Sequence, residues 1–167
     1  MFEQLILGVD PGVASTGLAA VRGGSRRSEI VWSTTVRTPA GLAEPLRLDA
    51  LHQATGAAIA EHHPDAVAIE RLMWGRNVGS AMGVARASGV LLLAAAEAGV
   101  PVFEYAPLEV KMAVTGSGTA GKADIRRFLG MLGIADVPTQ PDAADAVAVA
   151  ICHLTGAALR QATEAAR

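Results

Sequence analysis

A chain of 167 residues holds one domain with a substantial core and leaves no room for a second of comparable size. Hydrophobic residues make up 51% of it and aromatics only 4%, a composition suited to small side chains packed between helices and a sheet. A formal charge of −2 at pH 7 excludes an overall basic nucleic-acid module, and the longest apolar candidate, residues 89–96, is too short to span a membrane.

Residues 4–10 read as a buried strand, and no basic segment with a cleavable apolar run precedes them, so a cytoplasmic protein is expected. Pro11-Gly12 and the small residues after it make a turn into a second strand at 16–22. Gly23-Gly24 then supports a hairpin to a third strand at 29–37. From 44 to 62, Leu48, Leu51, Thr55 and Ile59 recur at helical spacing, and His63-Pro64-Asp65 stops that helix. Residues 66–70 form a fourth strand, 77–98 a helix ended by Gly99, and 101–105 a short fifth strand. Residues 108–114 read as a helical turn, followed by helices at 120–132 and 141–160. Cys152, the only cysteine, falls in the last of these as a core residue. The reading is one domain over 1–157 with a short Ala-rich tail at 158–167.

Short turns make strands one to three an antiparallel meander, and the crossovers through helices place strands four and five parallel to strand one. The expected fold is α/β, a mixed five-stranded sheet (three antiparallel, two parallel) with helices on both faces. That is the outline of the ribonuclease H-like fold.

Acidic residues stand at the ends of three apolar stretches. Asp10 closes the first strand, Glu70 closes the fourth, and Asp142 and Asp145 open the last helix. Such positions converge at the carboxyl edge of an α/β sheet, where sites are built. Grouped carboxylates suit hard divalent cations, which favour oxygen ligands. The pattern points to a metal-dependent enzyme acting on phosphate esters. Taken singly, each acid also fits a structural role, at a strand end or in a first helical turn.

Charge is unevenly spread. Between Arg71 and Arg127 seven basic residues face four acidic ones, a local basic excess that an ordinary solvated surface would also explain. The stretch 116–122 contains G-x-G-x-x-G and resembles a phosphate-binding loop, but it follows a helical turn rather than a strand. Ala123 also stands where that loop would need Ser or Thr. His52, His62, His63 and His153 form no convincing metal set, His62-His63 marking a helix end and His153 reading as structural, with a place supporting the metal ligands as its alternative.

Four segments together resemble the bacterial RuvC family of Holliday-junction resolvases: GVDPGVASTG at 8–17, AIE at 68–70, PVFEYAPLEVK at 101–111 and DAADAVAVAICH at 142–153. The resemblance covers the chain to about His153. It implies that Asp10, Glu70, Asp142 and Asp145 are catalytic metal ligands for Mg²⁺, with Mn²⁺ as substitute, in two-metal phosphodiester hydrolysis. It implies that Lys111 and Lys122, the only lysines, contact phosphate near the scissile strand. The loop 71–77 is expected to touch DNA through Met73, Trp74, Arg76 and Asn77, with Met73 as a wedge or Trp74 as a stacking platform at the junction centre.

The implied partners are a four-way DNA junction, a second copy of the chain, and the branch-migration complex of RuvA and RuvB. The helix at 80–98 offers a dimer surface through Met82, Val84, Val90, Leu91, Leu92 and Leu93, residues that a monomer core would use equally well. Competing readings are another ribonuclease H-like nuclease acting on RNA, a sugar kinase or actin-like ATPase, and a catalytically inactive junction-binding protein. The chain's length argues against the ATPase.

Overall fold

The computed structural model describes residues 3–23, 27–73, 78–118 and 121–165. The described elements run β1 (Gln4–Asp10), β2 (Ser15–Gly23), β3 (Ser28–Arg37), α1 (Glu44–His62), β4 (Ala66–Glu70), α2 (Val78–Glu97), β5 (Val102–Tyr105), α3 (Pro107–Thr115), α4 (Lys122–Met131) and α5 (Pro141–Ala165). They form a five-stranded sheet in the order β3-β2-β1-β4-β5. β1 pairs antiparallel with β2 and parallel with β4. β3 adds antiparallel to β2, and β5 adds parallel to β4. The mixed ribonuclease H-like sheet expected from the connections is present.

Strand periodicity divides the core in two. Leu7, Val9, Leu18, Val67 and Ile69 face one way and pack against Leu51 and Ile59 of α1 and Ala87, Leu91 and Ala95 of α2. Ile6, Ala19, Val21, Ala66 and Ala68 face the other way, towards α3, α4 and α5. The second face is made largely of small residues, and α5 answers with its own run Ala143–Ala150, all buried except Asp145.

Two glycines on that face set how closely α5 approaches. A Cβ built on Gly8 would overlap the carbonyl oxygen of Ala146, and one on Gly17 would overlap the carbonyl of Asp142. The colliding atoms are backbone, so only glycine lets the start of α5 lie this deep against β1 and β2.

The last third of the chain differs in detail from expectation. Residues 108–114, read as a helical turn, belong to a nine-residue helix, α3. Pro107 opens it and the Glu109 carboxylate accepts a hydrogen bond from the Ala106 N–H at 2.6 Å, both signals of a helix start. Gly116, at φ 69°, closes it. α5 continues to Ala165 rather than 160. The expected hairpin at Gly24 lies outside the described residues. Among the described residues no helix is long and apolar enough to cross a membrane.

Candidate active site

Strand parity decides where two of the acids point. Asp10 follows Ile6 and Gly8 at intervals of two, and Glu70 follows Ala66 and Ala68, so both carboxylates leave the sheet on the α5 face. Val9 is the register partner of Ile69, which puts Asp10 and Glu70 side by side on adjacent strands. Asp10 also pairs with Gly17, the residue on which the start of α5 rests. The first turns of α5 carry Asp145 into the same corner and set Asp142 against Ser15 and Gly17.

Asp10, Glu70 and Asp145 line one cavity of about 190 Å³ together with Lys111, Pro107 and Val110 of α3, Ile125 of α4 and Ala148 of α5. Asp142 does not line it; its Oδ2 accepts a hydrogen bond from the Ser15 hydroxyl. All four carboxylates and Lys111 are half-buried. Like charges so grouped disfavour one another, and a bound cation or a neighbouring lysine relieves the repulsion.

Among the described residues, no three His, Cys, Asp or Glu side chains stand close enough to hold one ion as placed. The cavity lining nevertheless gathers three carboxylates around one space. The donors are oxygens throughout, which fits a hard divalent cation in an open site reached by substrate rather than a closed all-protein cage.

The other expected site residues divide. Lys122 opens α4, with Gly121 before it bonded through its N–H to the Asp124 carboxylate at 2.9 Å; its own side chain lies outside what is described. Met73 follows Glu70 on an exposed loop, 58% accessible. Trp74, Arg76 and Asn77 fall outside the described residues. The segment 116–118 follows helix α3, so it lacks the strand that a nucleotide-binding loop requires.

None of the four histidines lines the carboxylate cavity. His52 bridges α1 to Glu97 of α2 at 2.8 Å, and His63 caps α1 in a left-handed conformation. His153 is buried, its Nδ1 2.8 Å from the Tyr105 hydroxyl and its ring 4.7 Å from that of Phe103. Tyr105 is the register partner of Glu70, so this pair braces the strand end that presents the carboxylate. Nothing local in the sequence points to the Tyr105–His153 pair or to the Ser15–Asp142 bond.

A family model described as crossover junction endodeoxyribonuclease RuvC matches residues 6–153. The RuvC of Syntrophomonas wolfei is 45% identical over 150 residues, spanning 89% of this chain and 87% of that protein. That of Salinispora arenicola is 46% identical over 151 residues, spanning 89% and 86%. Among solved structures, Thermus thermophilus RuvC in complex with Holliday junction substrate matches with a TM-score of 0.87 and 31% identity, over 94% of this chain and 96% of that one. The yeast mitochondrial Holliday junction resolvase Ydc2, 12% identical with a TM-score of 0.66, shares the fold alone. With the family model spanning nearly the whole chain and relatives this similar over most of their length, the protein belongs to the RuvC family of crossover junction endodeoxyribonucleases.

Proposed function

We propose that this chain resolves Holliday junctions by metal-dependent hydrolysis of phosphodiesters, with Asp10, Glu70, Asp142 and Asp145 holding the cations. The convergence of Asp10, Glu70 and Asp145 with Lys111 on one cavity carries the reading. Divalent ions bound there would supply an activated water and stabilise the departing oxygen. Mg²⁺ suits the oxygen donors, and Mn²⁺, with the same ligand preference, would substitute.

The chain's own residues do the rest. The strand ends fix Asp10 and Glu70 on a rigid sheet, and α5 brings the other two acids to them. Lys111 extends from α3 into the cavity, positioned to hold a phosphate oxygen as a compact charge. Lys122 is assigned the same role at the start of α4. Met73, Trp74, Arg76 and Asn77, in the segment directly after Glu70, contact the junction beside the cut.

Two symmetric nicks in a two-fold substrate require two such sites, which a homodimer supplies. Along α2, Leu91 is committed to the core, whereas Met82 and Leu93 remain exposed and offer a surface for the second copy. The work is placed in the cytoplasm, alongside the branch-migration complex of RuvA and RuvB.

A labelled four-way junction beside a linear duplex of the same sequence, each with Mg²⁺, Mn²⁺ or EDTA, tests the proposal. Paired, ligatable nicks confined to the junction and lost in EDTA are expected. Binding without cleavage under every metal would instead make this a junction-binding protein, and preferential cutting of RNA would favour an RNA nuclease of the same fold.

A further inference from the structure

The turn between β1 and β2 is tied down more firmly than a loop at a sheet edge requires. The Thr16 hydroxyl, fully buried, donates to the Gly12 carbonyl at 2.6 Å, and the Gly12 N–H donates back to it at 3.3 Å. Thr38, at the end of β3, donates through its hydroxyl to the Val13 carbonyl and through its N–H to the Ala14 carbonyl at 3.1 Å. Arg47 of α1 secures Thr38 in turn, its Nε donating to the hydroxyl at 2.8 Å. Just past Ser15, Gly17 sits directly against the Asp142 backbone.

These contacts fix the backbone on both sides of Ser15, and the Ser15 hydroxyl donates to Asp142 Oδ2 across 127 residues of sequence. A carboxylate in a first helical turn has other donors at hand, because the opening N–H groups of the helix lack intrahelical partners. Capture by those groups would turn both oxygens towards the helix. A hydroxyl presented from another element holds one oxygen and leaves the second for a ligand.

We infer that Ser15 is a positioning residue for Asp142, fixing Oδ2 so that the remaining oxygen meets a divalent cation. The inference rests on the metal-dependent reading above. In this role Ser15 is not a ligand and acts through the carboxylate. Neighbours that orient a metal-binding carboxylate typically change metal affinity or activity by about 10–100-fold when removed.

The test is Mn²⁺ binding to the DNA-free protein by titration calorimetry, with four-way-junction affinity in EDTA measured on the same samples. Ser15→Ala is expected to weaken Mn²⁺ binding roughly tenfold while leaving metal-free junction affinity unchanged. Ser15→Thr, which keeps the hydroxyl, is expected to restore Mn²⁺ binding, and adding Ser15→Ala to Asp142→Asn should weaken it no further. If Asp142→Asn weakens Mn²⁺ binding and Ser15→Ala does not, the role of Ser15 is overturned while the metal site stands. If Asp142→Asn leaves Mn²⁺ binding untouched, Asp142 is no ligand and the role of Ser15 falls with it, whereas loss of Mn²⁺ binding in Asp10→Asn would still uphold the metal-dependent reading. An additive double variant would also overturn the inference, since it would place Ser15 outside the action of Asp142.

Discussion

Asp10→Asn is expected to lower the rate of junction cleavage on the order of a thousandfold, the equivalent of about 4 kcal/mol of transition-state stabilisation. The substitution is nearly isosteric, so the sheet that carries residue 10 keeps its packing. What disappears is the negative charge at the middle of the site, beside Glu70 on one side and facing Gly17 and the start of α5 on the other. An amide oxygen is a much poorer ligand for a hard cation than a carboxylate. Junction binding in EDTA should persist or strengthen, because one charge that repels DNA phosphates is gone. Single-turnover cleavage at saturating Mg²⁺, set beside gel-shift affinity in EDTA, separates the two effects. A variant that cuts at close to the parental rate would remove Asp10 from the metal site.

The second large effect comes from a residue with no side chain. Gly17→Ala places a methyl group on the carbonyl of Asp142, a backbone atom of a buried helix that cannot turn aside. Either β2 or the start of α5 must move, and overpacking of this kind costs about 1–3 kcal/mol. The same movement carries Asp142 and Asp145 away from Asp10, so cleavage should fall more steeply than stability. Gly56→Ala is the control. A Cβ on Gly56, in the middle of α1, meets nothing within 4 Å, and alanine there should stabilise the helix by about 0.5–1 kcal/mol. Urea unfolding and single-turnover cleavage of both variants decide the matter. A Gly17→Ala protein as stable and as active as the parent would show that the close seating of α5 is not what assembles the acids.

Much of this arrangement is legible in the amino-acid sequence. The apolar runs before Asp10 and Glu70 have strand length and β-branched content, and the turn residues between them are strong punctuation, so strands and acids could be placed together. Parity could have gone further. Counting by twos from Ile6 and Ala66 already aims both carboxylates at one face of the sheet.

α3 was underestimated although its start was written in Pro107 and Glu109, because a helix of nine residues gives too few turns for periodicity to register. Gly8 and Gly17 look like ordinary strand glycines until their partners, more than 120 residues later, are seen in contact. Ser15 and the Tyr105–His153 pair share that difficulty. A hydrogen bond between distant residues leaves no local trace in sequence, whereas packing periodicity does.

The late position of α5 bears on how the protein is made. Its contacts with β1 and β2 join the two extremes of the described chain, and long-range contacts of this kind form late and slowly. A chain emerging from the ribosome can pair β1 to β5 and already present Asp10 and Glu70, yet it lacks half of the acid set until Asp142 and Asp145 have been synthesised and their helix has docked onto Gly8 and Gly17. A chain that ends ahead of Pro141 would carry only Asp10 and Glu70 of the four proposed ligands and would leave the Ile6, Ala19 and Val21 face of the sheet uncovered.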